Sequence, residues 1–326
     1  KGIVKREVIR VVTPGTTFDV NILDNKANNY VAAIVKKGEG FAFAYADITT
    51  GEFRVTELEN LQELENEFMR ISPAECIGEE NLVQSSLAKS LREKSGKTHF
   101  FHYDYFGNAE GFLRDFFGLK SLQVFGLEAK ELAVQTVALL FNYLKETQKS
   151  ELKHIQKISY YSTSEFMSLD EAVIRNLELF FTNREGRKEG SLIWVLDQTI
   201  TSMGGRMIRN WLLHPLLNKS AIEERLERVG ILVKDSSLLR EVREALSGVA
   251  DIERLLSRLS LGTGNARDLI AMKESLKIIP KLKEVLKDSL PILADGLDNL
   301  AELVELDEKA IIEEAPMTVR EGGMIK

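Results

Sequence analysis

The sequence is short of the residue types on which much protein chemistry depends. It has one cysteine, Cys76, and four histidines, which excludes an internal disulfide and any thiolate metal cage. Ile77 beside it marks Cys76 as a small core residue and not a nucleophile. His99 and His102 are three apart on a predicted strand and so point to opposite faces, while His154 and His214 stand alone; their spacing makes no metal site. No apolar run is long enough to span a bilayer and no charged-then-apolar leader opens the chain, so the expectation is a cytoplasmic protein with no membrane partner. With 44% hydrophobic residues and only six prolines, nothing points to large-scale disorder. A net charge of −7 argues against a surface that binds nucleic acid non-specifically all over, while leaving room for a local basic patch.

What is present is organised around one run, Gly190-Ser-Leu-Ile-Trp194-Val-Leu-Asp197-Gln-Thr-Ile-Thr201-Ser-Met-Gly204-Gly205-Arg206-Met-Ile-Arg209-Asn-Trp211-Leu-Leu-His-Pro215. Met207, Ile208, Trp211 and Leu212 lie on one face of a helix, which Pro215 stops. Two glycines ahead of it let another backbone pass close, because neither carries a Cβ. Trp194, Gly204, Gly205, Arg206 and Trp211 are therefore expected to form a structural hub, which by its residue types is a well-packed helical junction.

The run resembles the MutS family of DNA mismatch-repair proteins, whose core domain carries Gly-Ser-Leu-x-Trp-Val-Leu-Asp, then Met-Gly-Gly-Arg, then Arg-x-Trp-Leu-x-x-Pro-Leu. A second run, Met167-Ser-Leu-Asp170-Glu-Ala-Val-Ile-Arg175-Asn176-Leu177-Glu178-Leu179, is similar to the family's Leu-Asp-Ala-Ala-Thr-Arg-Arg-Asn-Leu-Glu-Leu. Asp251-Ile-Glu-Arg254-Leu and Asn265-Ala-Arg267-Asp268-Leu269 resemble two more of its motifs. These last read physically as helix starts capped by Asp and Asn, with arginines on the outer face for ion pairs. The resemblance implies a fragment of a bacterial MutS protein, truncated at both ends. Residues 1–20 would be a remnant and linker from the mismatch-binding domain, 21–149 a ribonuclease-H-like α/β connector domain, and 150–326 an all-α helical core, or lever, domain truncated before the clamp.

The order of elements agrees with that class. Glu7–Val12 alternates like a strand, and Thr13-Pro14-Gly15-Thr16 is a turn signature. Residues 30–35, 41–48 and 52–56 are β-rich runs separated by glycine-containing turns, which predicts a meander. A helix follows with Leu61, Leu64 and Phe68 at helical spacing, then a strand at 73–77, a polar helix at 81–94 and a strand at 98–103. Ala109, Phe112, Leu113, Phe116 and Phe117 form an apolar helical stripe expected to pack on the sheet. From Glu128 onward helices dominate, at 128–148, 168–180, 201–213, 219–234, 237–246, 249–260, 266–279 and 291–303. Ser220 and Glu223 have the spacing of a capping box, and Pro280 falls where a helix must bend or stop.

Several kinds of chemistry can be weighed against this frame. Ser95-Gly96-Lys97-Thr98 invites a phosphate-loop reading, but that motif needs a glycine at the position held by Leu91; a solvated turn is expected. No other such motif occurs, so ATP and magnesium are expected only in the full-length protein, and no residue here is assigned to catalysis, a cofactor or a metal. The family's Phe-x-Glu mismatch reader is also absent, so DNA would be held mainly through domains outside this chain. The alternative reading is a ribonuclease-H-like metal-dependent nuclease, for which Asp47 and Asp104, joined by Glu75 or Glu110, are the candidate carboxylates. Asp47 before Thr49-Thr50-Gly51 is equally what a backbone-bonding turn residue looks like. Arg184, Arg187 and Lys188 form a basic loop that could touch a phosphate backbone, with Glu185 and Glu189 interleaved. By resemblance, the helix face of Glu110, Gly111, Arg114 and Asp115 is the region where the repair protein MutL would dock, and the full-length protein would be a homodimer.

Overall fold

Three β-rich runs form an antiparallel meander, β1 (Val31–Lys37), β2 (Gly40–Asp47) and β3 (Glu52–Leu58), in the computed structural model, which describes residues 7–18, 23–105, 107–316 and 321–326. The register pairs Val31 with Ala46 and Phe43 with Thr56. β4 (Glu75–Gly78) lies parallel to β1, β5 (His99–His102) parallel to β4, and the short β6 (Ser159–Tyr160) parallel to β3. The sheet order is β5-β4-β1-β2-β3-β6. Parallel neighbours need crossovers, and these are α1 (Leu61–Ile71) before β4, then α2 (Glu80–Val83) and α3 (Ser86–Ser95) before β5.

Alternation along β2 sorts its side chains. Phe41, Phe43 and Tyr45 join Leu64, Phe68 and Ile71 of α1 and Leu91 of α3 in one buried cluster. Ala42, Ala44 and Ala46 point the other way, and their small size lets α5 (Glu131–Gln148) pack closely across β1, β2 and β3. Helices on both faces explain why the central strands are apolar throughout and not alternating. Each large side chain buried here contributes about 1.5–3 kcal/mol. Cys76 is fully buried in the same cluster, where burial pushes its thiol well up, as expected of a core residue.

Two local expectations are corrected. Residues 7–12 belong to no strand among the described residues; Val11 instead donates its N–H to Thr147 O at the end of α5 (2.7 Å). The turn after it is present, closed by Thr16 N–H to Thr13 O (3.1 Å). The polar helix at 81–94 is two helices, because the Ser85 hydroxyl accepts from Ala88 N–H and starts α3 afresh. Gly96 is the left-handed cap that ends α3, so the Ser95–Thr98 stretch lies at a helix C-terminus, the wrong pole for a phosphate.

The chain divides into two compact units, Lys1–Asp24 with Asn28–Trp194, and Asn25–Ala27 with Val195–Lys326. The first also holds α4 (Ala109–Phe117) and α6 (Glu171–Asn176), and α7 (Leu192–Leu196) lies where the division falls. The second is helical: α8 (Ser202–Leu213), α9 (Lys219–Lys234), α10 (Ser236–Leu246), α11 (Ile252–Ser260), α12 (Ala266–Leu286), α13 (Pro291–Asp295) and α14 (Ala301–Ala310). Helix α12 is its spine, packing on α10, α11, α13 and α14.

Here too the structure revises details. Helix α12 runs through Pro280 instead of ending there. Proline sacrifices one backbone bond, but Leu282 and Leu286 beyond it bury with Leu290 and Ala294, and that burial outweighs the loss. Helix α9 is capped by Asn218, which accepts from Ala221 N–H (3.0 Å), and not by Ser220. The reciprocal capping box belongs to Asn265 and Asp268 at the start of α12. The helix expected over 291–303 is split between α13 and α14.

Candidate functional site

The densest buried charge in the helical unit forms around the start of α8. Thr201 caps that helix, its hydroxyl accepting from Gly204 N–H (3.0 Å). Just upstream, the Asp197 carboxylate accepts from the Thr199 hydroxyl (2.5 Å), the Thr199 N–H (3.2 Å) and the Lys26 ammonium (3.0 Å). Burial alone would raise this carboxyl, but the Thr199 and Lys26 donors outweigh it and hold Asp197 below the usual carboxylate range. Lys26 also donates to Thr199 O (2.9 Å). Its stem crosses α8 where Gly205 has no side chain: a Cβ there would sit 2.5 Å from Lys26 Cγ and 2.7 Å from Cβ and Cδ.

One residue later, Arg206 is 5% exposed and spends its donors fully. Nη1 and Nη2 donate to the two oxygens of Asp251 (2.8 and 2.7 Å), Nε and Nη2 to Glu253 (3.2 and 2.6 Å), and Nη1 also to Asn25 O (2.9 Å). Burial opposes its charge, yet Asp251 and Glu253 hold the guanidinium more firmly protonated than usual. Asp251 also caps α11, accepting from Arg254 N–H. Arg254, expected on an outer face, is buried: Nη1 donates to Asn25 Oδ1 (3.0 Å) and Nη2 to Ala27 O (2.8 Å). Arg206 and Arg254 thus grip the turn Asn25–Ala27, Lys26 within it is tied to Asp197, and Asp251 and Glu253 neutralise Arg206. The cluster holds no nucleophile paired with a base; what it can do is fix a piece of backbone.

Of the five residues singled out as a hub, Gly204, Gly205 and Arg206 meet in this clamp. Trp211, 40% exposed, lies further along α8 with the Arg225 guanidinium 3.7 Å from its ring centroid. Trp194, 53% exposed, is the last residue of the other unit. Sequence reading missed Asn25 and Lys26 altogether and took Asp251 and Arg254 for surface capping residues. Lys26 and Asp197 are 171 positions apart, so no local pattern could join them.

The other candidates fall elsewhere. Glu110, Arg114 and Asp115 are exposed on α4, with Arg114 and Glu110 3.8 Å apart. Gly111, half-buried, owes its identity to the helix cap: a Cβ would lie 2.8 Å from Asn108 Nδ2, and Asn108 Oδ1 accepts the Gly111 N–H. Arg184 and Arg187 are exposed on a loop closed by Thr182 N–H to Arg187 O (2.8 Å), and Arg187 pairs with Glu185 (3.3 Å). Lys188 is half-buried, its carbonyl accepting from Ser191.

The carboxylates weighed for a nuclease are occupied. Asp47 Oδ1 accepts from Thr49 N–H and hydroxyl (2.9 and 2.7 Å), and Oδ2 from Asn28 Nδ2 and Asn29 N–H (2.9 and 3.2 Å). Glu75, fully buried, accepts from the Tyr143 hydroxyl and from Gly15 N–H (2.9 Å). Asp104 bonds His102 (2.6 Å). Among the described residues no three His, Cys, Asp or Glu side chains converge as a metal site would require.

Comparison with known proteins gives a consistent result along the chain. Residues 29–156 match the family model for MutS domain II, and residues 172–326 the model for MutS domain III. The chain is 40% identical over 333 residues to the DNA mismatch repair protein MutS of Halothermothrix orenii, covering all of this chain and 37% of that protein. It is 38% identical over 340 residues to the one from Alkaliphilus oremlandii and 40% identical over 351 residues to the one from Methanosarcina acetivorans, with 38% and 39% of those proteins covered. The chain therefore spans less than two-fifths of the length of these relatives.

Proposed function

Since this chain belongs to the MutS family of DNA mismatch-repair proteins, we propose that it serves there as a mechanical link, a connector over 21–149 followed by a helical core, or lever, over 150–326. The observation that carries this reading is the clamp. Residues 25–27 are gripped by Arg206 and Arg254 within the helical unit, while their chain neighbours 24 and 28 belong to the other unit. A displacement of α8 or α11 is thereby handed to the backbone entering β1, as a rigid element with a short, charged attachment can do. The order β3-β2-β1-β4-β5, a meander followed by two parallel crossovers, supports a ribonuclease-H-like connector.

In the whole protein, mismatch reading, the DNA clamp and an ATPase using ATP and magnesium would lie outside this chain, and the protein would act as a cytoplasmic homodimer. Docking of MutL is assigned to α4, where Glu110, Arg114 and Asp115 are exposed. The nuclease reading gathers no support, because Asp47 and Glu75 are spent on a turn and on packing, Asp104 on His102, and Glu110 stands exposed on α4. Titration of this chain with purified MutL at moderate salt, with Arg114→Glu as control and mismatched duplex DNA in parallel, tests the proposal. The expected result is MutL binding weakened by Arg114→Glu, without mismatch-selective DNA binding. Mismatch-selective binding of DNA by this chain alone would overturn the division of labour.

A further inference from the structure

The helical period predicts that α4 buries Phe112, Leu113, Phe116 and Phe117 against the sheet, yet only Leu113 is fully buried. The three phenylalanines gather round the buried ring of Phe141, with centroids 6.1, 4.5 and 5.9 Å from it for Phe112, Phe116 and Phe117. Their outer edges are left half-buried. With Ile155 they line a groove of about 720 Å³, a volume that ordinarily accommodates a ligand or an anchoring side chain. Lys145 and Glu151 at its rim satisfy each other at 2.8 Å. Asp115, from α4, and Lys153, from the loop after α5, also border it; both are exposed and neither makes an ion pair among the described residues.

We propose that this groove receives one apolar anchor side chain, of leucine or phenylalanine type, from a segment of the protein partner that docks on α4. A basic residue of that segment would meet Asp115 and an acidic one Lys153. The inference rests on the docking reading above and specifies the chemistry of the contact. Aromatic walls that shed water on one side only are where binding energy concentrates in a protein interface. The opposite unspent charges select the kind of occupant: a phosphate backbone, all of one sign, would meet Lys153 but be repelled by Asp115, and a lipid surface would leave Asp115 unpaired. A polypeptide segment supplies an apolar anchor and both signs of charge within a few residues.

The test is calorimetric titration of purified MutL onto the 326-residue chain. Phe116→Trp fills the groove while keeping an aromatic ring against Phe141; Asp115→Lys and Lys153→Glu alter only exposed side chains and guard against a packing artefact. Urea midpoints of all variants establish that they fold. Phe116→Trp is expected to weaken binding about tenfold or more, the scale of losing one buried anchor, and each charge reversal about threefold or more. Wild-type affinity in all three variants, with Arg114→Glu still weakening binding, overturns the groove and leaves docking on α4 standing. Failure of the unmodified chain to bind MutL overturns both.

Discussion

Replacing Gly205 with alanine sets two physical effects of opposite sign against each other. In an ordinary helix interior Gly→Ala stabilises by roughly 0.5–1 kcal/mol, through lost backbone freedom in the unfolded chain. Gly230 in α9 is such a site, with nothing within 4 Å of an added Cβ. At Gly205 the added methyl group would overlap three carbons of the Lys26 stem, the nearest at 2.5 Å. These atoms include Lys26 Cβ, so the residue cannot swing aside without moving its backbone. Displacing it strains the ammonium contacts to Asp197 and Thr199. A charge-assisted bond of this kind contributes about 1.5–3 kcal/mol, discounted toward the lower end because the Lys26 side chain is 29% exposed, and overpacking adds about 1–3 kcal/mol. Against the helical gain, the net expectation is a loss of about 2 kcal/mol. Urea unfolding in a Trp194→Phe background lets Trp211, on the same helix, report the transition. Gly230→Ala should raise the midpoint and Gly205→Ala lower it, and Lys26→Gly, which removes all three clashing carbons, should absorb most of the Gly205→Ala penalty, since the two residues touch. If Gly205→Ala stabilises as Gly230→Ala does, the clamp geometry is wrong.

Arg206→Met should cost about 2–4 kcal/mol by leaving Asp251 without its bidentate partner, and Arg206→Lys should recover little because an ammonium cannot reproduce the fork; hydrogen exchange at residues 25–27, compared with the unmodified chain, would reveal an intact clamp by unchanged protection. His154 is buried, donating Nε2–H to Ile48 O (3.0 Å), and burial lowers its pKa despite that bond. Its unfolded value is near 6.5, so the unfolded state binds the proton more tightly; the stability involved is fully present above about pH 6.5 and declines as pH falls through the folded value. The urea midpoint should therefore drop between pH 7.5 and 5.5, and His154→Gln should flatten that drop; an equal drop in the variant would assign it to other groups. Pro280→Ala should raise stability by about 1–2 kcal/mol, the helical gain being partly offset by the freer unfolded chain, and an unchanged or lowered melting temperature would mean that α12 needs the proline's geometry.

Much of the fold was legible because it depends on short-range rules. Helix α9 has the predicted bounds, and the meander and the two later strands appear where β-rich runs and glycine turns placed them. Errors fell where two local signals competed. The spacing of Ser220 and Glu223 pointed to the wrong cap, since Asn218, two residues earlier, accepts the Ala221 N–H. Pro280 is a helix breaker by its own chemistry, yet the apolar pair Leu282 and Leu286 carries the helix past it. The sorting of Phe112, Phe116 and Phe117 shows the same limit, since a period tells which side chains share a face but not how far a neighbour covers that face.

The sequence by itself determined the family and the succession of strands then helices, and it drew attention to Gly204, Gly205 and Arg206, because each is written in contiguous residues whose spacing and backbone preferences act locally. Only the tertiary structure decided what those residues serve. The clamp joins Asn25 and Lys26 to Asp197, Arg206 and Arg254 across gaps of more than 170 positions. The energy that selects such a contact, desolvated charge meeting its counter-charge, exists only once the chain has closed those distances and excluded water from between them.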